Sequence, residues 1–330
     1  MPARVTAFAL ILIALAARPS RQAAARQGTA SAPSGASGAP QALAAGWSRM
    51  DSGTTNALTG LWGAAPNDVF AVGPKGTILH FDGRAWSPMT VAGEPHLLSI
   101  WGSSSRDVFV VGDNGVIVHY DGQAWSPMAS GTRKNLIAVW GASGRDVFAA
   151  GYGGTVLHYD GVQWTSMATG TTEDLYGIWG TASNHVVAVG GTPMPMPGKG
   201  LVLRFDGKTW APMPIPDSPF LAGVWGSSAS DVYAVGLNHA ILHHDGKAWS
   251  RMAANTEAVP GTPNFLTRVG GRGPNDAYAA GFNGILLHYD GRAWSPVPSG
   301  TTEGVAVFGV GQRDVFVVGG GGIILRHGPK

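Results

Sequence analysis

Aspartate and histidine are the residues of this chain whose types and spacing could do chemistry, since recurring carboxylates and imidazoles can act as acids, bases or metal ligands. One aspartate precedes a glycine at a fixed place in a repeated pattern. These Asp-Gly pairs begin at Asp82, Asp121, Asp160, Asp206, Asp245 and Asp290. Asp-Gly between two strands is also a strong hairpin signal. Carboxylates that occur once per repeat cannot converge on one substrate, so we interpret them as turn residues.

A second aspartate and a histidine also recur, each once per repeat. The aspartates are Asp68, Asp107, Asp146, Asp231, Asp276 and Asp314, and His185 takes their place once. The histidines are His80, His119, His158, His243 and His288, replaced by Arg204 and Arg326 in two repeats. We expect the aspartates to accept hydrogen bonds from loop backbone N–H groups. The histidines belong to separate repeats, too far apart to share an ion bound at about 2 Å, so we predict no metal and no cofactor.

Composition excludes several further chemistries. The 330 residues include no cysteine, which removes thiolate nucleophiles and Cys-based metal sites. No Ser-His-Asp arrangement or phosphate-binding glycine loop is recognisable. Four of the 22 basic residues lie in the first 26, so the remaining 18 face 20 acidic residues. No basic stripe remains, and we expect no nucleic-acid partner.

The N-terminus has the features of an export signal. Arg4 precedes an apolar run over 5–17, which is too short to span a bilayer comfortably, and small residues follow. We predict a signal peptide over 1–26, with an uncleaved anchor as the alternative, and a flexible Ala/Ser/Gly/Pro linker over 27–46. The mature chain would then be periplasmic, cell-surface or extracellular, with no transmembrane span.

Tryptophan spacing divides 47–330 into seven repeats of 38 to 46 residues. The first tryptophan position holds Trp62, Trp101, Trp140, Trp179 and Trp225, with Gly270 and Phe308 in the last two repeats. The second position holds Trp86, Trp125, Trp164, Trp210, Trp249 and Trp294. The seventh repeat ends before its own second tryptophan, and Trp47 supplies the missing residue from the other end of the chain.

Each repeat contains four short strand candidates separated by glycine-containing turns. The second candidate is apolar on both alternating faces, as in Val108 to Val111, which is typical of a strand buried on both sides. Four strands in about 40 residues describe a propeller blade. The sequence therefore predicts an all-β, seven-bladed β-propeller of four antiparallel strands per blade, closed by strands from both termini. We expect it to be a monomer.

The repeat that contains Trp101-Gly, Asp107-Val-Phe-Val-Val-Gly, Asp121-Gly and Trp125 resembles secreted bacterial propeller repeats, similar to those of Asp-box (sialidase-type) and photosystem-assembly-factor propellers. The resemblance covers 47–330 and implies the propeller fold, although the Ser-x that precedes the Asp box is missing. Such propellers include hydrolases, lectins and assembly scaffolds. Sialidases use clustered arginines with acid and nucleophile residues, and this chain shows no such concentration.

We therefore expect an exported, non-catalytic scaffold that binds an unknown glycan, anionic ligand or protein. The alternative is a glycoside hydrolase or lyase with its site at the top-face mouth of the channel. Function is best sought where the repeat is broken. Two insertions, within 191–200 and 251–265, should emerge on one face and form a composite binding patch; neutral drift is the alternative. The residues assigned to this patch are Met194, Met196, Lys199, Glu257 and Asn264.

Arg268 is the last candidate site residue. It lies two residues before the first tryptophan position, where the other six repeats have glycine, alanine or serine. We expect its guanidinium to project into the axial channel and to bind an anion there. A solvated arginine in a wet channel is the alternative.

Overall fold

A computed structural model describes residues 42–192, 199–254, 265–310 and 314–328. These residues form seven antiparallel four-stranded sheets, the blades of a propeller. Blade 7 uses the first strand of the chain, β1 (Trp47–Met50), as its outer strand. Single 3-10 turns follow three of the second strands, at Asp113–Gly115, Phe282–Gly284 and Gly320–Gly322.

Within each blade the strands are given from the channel outward. Blade 1 consists of β2 (Gly60–Ala65), β3 (Asp68–Val72), β4 (Ile78–Phe81) and β5 (Trp86–Met89). Blade 2 consists of β6 (Leu97–Ser104), β7 (Asp107–Gly112), β8 (Ile117–Tyr120) and β9 (Trp125–Pro127). Blade 3 consists of β10 (Leu136–Ser143), β11 (Asp146–Gly151), β12 (Thr155–Tyr159) and β13 (Trp164–Met167). Blade 4 consists of β14 (Leu175–Ala182), β15 (His185–Thr192), β16 (Lys199–Phe205) and β17 (Trp210–Met213).

The remaining blades follow the same order. Blade 5 consists of β18 (Leu221–Ser228), β19 (Asp231–Gly236), β20 (Ile241–His244) and β21 (Trp249–Arg251). Blade 6 consists of β22 (Leu266–Gly273), β23 (Asp276–Gly281), β24 (Leu286–Tyr289) and β25 (Trp294–Pro296). Blade 7 consists of β26 (Val305–Val310), β27 (Asp314–Gly319), β28 (Ile324–His327) and β1.

The ring closes between the two ends of the chain. The innermost strands contact one another in sequence around the axis, and β2 of blade 1 contacts β26 of blade 7. Strand β1 pairs antiparallel with β28, with Trp47 opposite His327 and Met50 opposite Ile324. The predicted seven-bladed fold and its closure through Trp47 are confirmed.

The predicted signal peptide, 1–26, and most of the predicted linker lie outside the described residues. Two residues before β1 contact the propeller. Leu43 packs beside Trp47 against the core between blades 6 and 7. The backbone N–H of Ala44 donates to the carbonyl of Pro298 at 3.1 Å. Among the described residues, no helix has the length and apolar character needed to cross a bilayer.

The hydrophobic core lies between the blades. On β7, Val108, Phe109, Val110 and Val111 are all at most 1% exposed, because one face of the strand packs on each neighbouring blade. This is the burial on both faces that the alternation predicts. Each Trp-Gly pair contributes a second kind of contact, in which the indole lies against the glycine of the next blade. A methyl group on that glycine would lie 2.6 to 2.8 Å from the ring in five blade pairs.

The Asp-Gly aspartates lie in the hairpins between the third and fourth strands. In the first of them, Oδ1 of Asp82 accepts the backbone N–H groups of Arg84 and Ala85 at 2.8 and 2.9 Å. These two hydrogen bonds, that of Ala85 first, hold the pKa of Asp82 below its usual value. The same arrangement recurs at Asp121, Asp160, Asp206, Asp245 and Asp290. The structure therefore gives these carboxylates local backbone partners within each turn.

The second set of aspartates has a partner that the sequence analysis did not expect. We predicted hydrogen bonds to loop N–H groups, but the Asp68 carboxylate accepts a hydrogen bond from Nε2 of His80 at 2.7 Å. The reason is geometric, because both residues lie on neighbouring strands at a constant separation of 12 residues. Four further blades pair the same positions at 2.6 to 2.9 Å. In blade 7 the cation is Arg326, which contacts Asp314 at 2.8 Å.

Blade 4 lacks this pair. It has His185 in place of the aspartate and Arg204 in place of the histidine, so two basic side chains occupy the positions. Burial, and then the charge of Arg204, lowers the pKa of His185. Burial also lowers the pKa of His244 on the adjacent blade 5, which is 8% exposed. Arg204 and His185 shift it further down, and Asp245 opposes this shift. The interface between blades 4 and 5 is therefore arranged for neutral histidines.

Candidate functional site at the channel mouth

The innermost strands of blades 2 to 6 each carry a β-bulge three residues before the first tryptophan position. In β6, Leu97 pairs with Gly112 and Ser99 with Val111, so Leu98 has no opposite residue. A bulge re-aims the side chain of the extra residue. The residues at this bulge position are Leu98, Ile137, Tyr176, Ala222 and Thr267. All five line one cavity at the end of the axial channel.

This cavity has a volume of about 110 Å³. It lies at the face where the loops between second and third strands meet the connections between blades. The loop residues that complete its wall are predominantly small or apolar: Ala57, Leu58, Phe265, Phe282, Gly304 and Gly320. The other lining residues are Thr59, which directly precedes β2, Ala306 from the inner strand of blade 7, and Arg268.

Five aromatic side chains form a continuous aromatic arc on one side of the mouth, spanning blades 3 to 6. Successive ring centroids are 5.1 to 6.0 Å apart. The members of the arc are Tyr152, Tyr176, Phe220, Phe265 and Phe282. The sequence analysis missed them. A signal existed, since Phe220 and Phe265 occupy a place where four other repeats have His96, Asn135, Asp174 and Glu303.

Polar residues at the same place in blades 2 to 4 add hydrogen-bonding groups beside the end of the arc formed by Tyr152 and Tyr176. Nδ1 of His96 lies 2.7 Å from the carboxylate of Asp113. The carboxylate of Asp174 accepts the backbone N–H of Gly153 at 2.7 Å and the hydroxyl of Tyr176 at 3.3 Å. The mouth is therefore amphipathic, with apolar rings on blades 5 and 6 and hydrogen-bonded carboxylates on blades 2 and 4.

Both tyrosines of the arc have pKa values above the ordinary value for tyrosine. Burial, and then the charge of Asp174, raises the pKa of Tyr152 to about 12. The same two causes raise the pKa of Tyr176 further. An activated nucleophile needs the opposite shift. Among the described residues, no three His, Asp or Glu side chains come together in a way that could hold a metal ion.

Arg268 lies in the cavity wall between the aromatic arc and blade 7. Its side chain is part-buried, and Nη1 donates a hydrogen bond to the carbonyl of Thr267 at 3.1 Å. Among the described residues no carboxylate forms an ion pair with it. Desolvation lowers the pKa of the guanidinium from its ordinary value, although an arginine stays charged at neutral pH.

The small residues at the place of Arg268 in other repeats have a different cause from the one we expected. We attributed them to a narrow channel, but this position faces the inner strand of the next blade. A methyl group at Gly223 would lie 2.9 Å from the carbonyl oxygen of Thr267. The hydroxyl of Ser99 accepts the backbone N–H of Val139 at 3.3 Å. The bulge position, one residue earlier, lines the cavity in all five bulged blades, whereas at the position of Arg268 only Arg268 and Ala306 do so among the described residues.

The predicted composite patch stays a prediction, because most of its residues are not described. Met194, Met196, Glu257 and Asn264 lie outside the described residues. Lys199 is described and is exposed at the start of β16, where it pairs with Thr192.

Two open clefts recur on the outer part of this face, beside blades 2 and 3. Their volumes are about 650 and 580 Å³. The first is lined mainly by small and aliphatic residues, and the second mainly by glycine and threonine. Repeated clefts with aromatic rings and amides would favour a lectin, because sugars stack on such rings. No aromatic side chain lines either cleft among the residues that the structure describes. The aromatic residues instead lie at the mouth of the axial channel.

Comparison with known proteins gives structural relatives only. No protein-family model matches the chain, and no curated protein matches it. The structure described as YCF48 bound to D1 peptide is 16% identical, with a TM-score of 0.70 over 89% of this chain and all of that one. YCF48 from Cyanidioschyzon merolae is 15% identical, with a TM-score of 0.66 over 86% and 98% of the two chains. The WD40 propeller domain of Doa1 is 10% identical, with a TM-score of 0.70 over 87% and 96%. These likenesses show the fold. They confirm the expected resemblance to photosystem-assembly-factor propellers at that level.

Proposed function

We propose that this chain is an exported, non-catalytic propeller that binds a protein partner at the channel mouth. The observation that carries the proposal is the aromatic arc beside a cavity open at one end of the channel. Tyr152 and Phe282, at the two ends of the arc, are part-exposed, whereas Tyr176, Phe220 and Phe265 are buried beneath them. Part-exposed aromatic side chains beside polar groups are typical of protein-binding surfaces. The fold also supports binding of a protein partner, since one solved propeller of this shape is described as YCF48 bound to D1 peptide.

Binding is favoured over hydrolysis by the state of the polar groups at the mouth. Tyr152 and Tyr176 have raised pKa values and are therefore poor nucleophiles. Asp113 and Asp174 are each already hydrogen-bonded to neighbouring groups. Arg268 is the one arginine among the described residues that line the cavity, whereas a sialidase-type site uses several.

The binding face can be tested by placing a photo-crosslinking amino acid at matched exposed arginines. Arg133 lies on the same face as the channel mouth, in the connection between blades 2 and 3, and Arg106 lies in a turn at the opposite face. We expect a discrete crosslinked partner from position 133 and none from position 106, with mass spectrometry identifying the attached peptide. Crosslinking from position 106 alone, or equally from both positions, would contradict the proposal.

Export can be tested separately with a reporter enzyme that is active only outside the cytoplasm. Residues 1–46 fused to the reporter should give activity, and the same fusion lacking 1–26 should give none. Leu12→Arg interrupts the apolar run and should also abolish activity, because the signal depends on its hydrophobicity. Activity that survives both changes would refute export through this segment.

A further inference from the structure

The channel mouth combines the charged guanidinium of Arg268 with apolar walls, and this combination indicates one class of ligand. A guanidinium has five N–H donors in a planar fork. The contact to the Thr267 carbonyl uses one of the nitrogens of Arg268. The surrounding wall is formed by Phe265, Phe282 and Ala306. A cation in such a wall is poorly solvated, so an anion that replaces water around it gains a strong, charge-assisted hydrogen bond.

We propose that the channel mouth binds a small organic monocarboxylate, a single carboxylate carried directly on a ring or a branched alkyl group. The carboxylate would pair with the guanidinium of Arg268, and the apolar body would lie against the aromatic arc. This site is independent of the proposed protein partner, since it needs only the residues of this chain.

The size of the cavity restricts the apolar body. An enclosed apolar cavity of about 150 Å³ accommodates one benzene ring. The space of about 110 Å³ at the channel mouth is smaller but open on one side. The site therefore suits a body of about one ring or a short branched chain, partly projecting from the mouth.

The charge distribution selects a single negative charge. Asp113 and Asp174 lie around the same mouth, and a methyl group at Gly320 in the cavity wall would lie 2.5 Å from Oε2 of Glu303. A second negative charge on the ligand would face these carboxylates in a partly desolvated site, which is costly. The planar fork of arginine also matches the two oxygens of a carboxylate. Inorganic phosphate should therefore bind more weakly than a carboxylate.

The test compares benzoate, its neutral isostere benzamide and inorganic phosphate by titration calorimetry on the purified full-length protein. We expect benzoate to bind at millimolar or lower concentration, and benzamide and phosphate to bind about ten-fold or more weakly. This comparison uses the unaltered chain, so it stands even if a variant fails to fold. Equal binding of benzoate and benzamide, stronger binding of phosphate, or no binding of benzoate would overturn the proposal.

Two matched substitutions then locate the site. Arg268→Met keeps the length of the side chain and removes the charge, and should weaken benzoate about ten-fold or more. Arg145→Met makes the same change at an exposed position in a turn at the opposite face and should leave benzoate binding unchanged. Unaltered binding in Arg268→Met, or an equal loss in both variants, would refute the assignment. Benzoate binding without any crosslinked partner at position 133 would leave this site standing and remove the proposed protein-binding function.

Discussion

Alanine in place of Gly141 tests whether the Trp-Gly contact between blades sets the spacing of the ring. A methyl group there would lie 2.6 Å from Cη2 and 2.7 Å from Cζ3 of Trp101, and 3.0 Å from the carbonyl oxygen of Asp146. Carbon atoms prefer separations of about 3.5 to 4.0 Å, so the ring or the strand must move by roughly 1 Å. Trp101 cannot move freely, because it packs against the cores on both sides of blade 2.

Overpacking of this kind costs about 1 to 3 kcal/mol. For a domain of this size, each kcal/mol lowers the melting temperature by about 2 to 4 °C, so Gly141→Ala should lower it by several degrees. Differential scanning calorimetry of the full chain measures this shift. Gly273→Ala is the matched control, because a methyl group there meets nothing within 4 Å and the backbone has no positive φ. It should change the stability by less than about 0.5 kcal/mol.

A second substitution separates the contact from a general effect of alanine. Blade 7 has Phe308 at the first tryptophan position, which shows that the smaller ring is compatible with the fold. Trp101→Phe should therefore be less destabilising in a chain that already carries Gly141→Ala than in the unaltered chain, giving a favourable coupling energy in a double-mutant cycle. Additive effects, or a Gly141→Ala variant as stable as Gly273→Ala, would refute this account of the Trp-Gly repeat.

Two further predictions concern ring closure and pH. Deleting 42–50 removes β1 and leaves an unpaired edge on blade 7, so thermal unfolding should begin at a lower temperature and lose cooperativity. Deleting 27–41 should leave thermal unfolding unchanged. Identical unfolding curves for the two deletion variants would contradict this. Burial lowers the pKa of His244 below the unfolded value of about 6.5, so its stabilising effect is complete above that pH and is lost as the pH falls through it. The melting temperature should therefore decrease as the pH is lowered from about 8 to about 5. His244→Phe, which introduces the residue type found at Phe205 in blade 4, should make this decrease smaller. An equal decrease in both proteins would contradict this.

The fold could be predicted because its signals are repeated and local. Tryptophans at two fixed positions count the blades, and Trp47 at the start of the pattern identifies the closing strand. Both signals follow from packing between blades, which every repeat must satisfy in the same way. The pairing of Asp68 with His80 was also within reach. Wherever the histidine is replaced, the aspartate either changes as well, as at His185, or meets another cation, as at Arg326.

The lining of the channel could not be predicted in this way, because a bulge breaks the two-residue period of the strand. Strict alternation cannot show that Leu98 has no opposite residue while Ser99 pairs with Val111, since the register slips by one residue there. The aromatic arc is harder still to recognise. Phe220 and Phe265 precede an inner strand, Tyr152 and Phe282 follow a second strand, and Tyr176 is a bulged residue, so the arc joins three different repeat positions.

The same bulges explain how one regular ring can present an irregular mouth. Packing between blades restricts the residue type at the repeat positions, as the recurring tryptophans show, and turn geometry does the same at the Asp-Gly pairs. A bulged residue leaves the ladder and faces the channel, so its type is free of that constraint, and Thr267, Tyr176 and Leu98 occupy equivalent positions. Four of the five bulge residues still form one buried cluster at the end of the channel, so we expect apolar substitutions among them to be compatible with the ring. Under the proposed function, we therefore expect specificity to depend on the differences among blades at the mouth, and stability to depend on the contacts that the blades share.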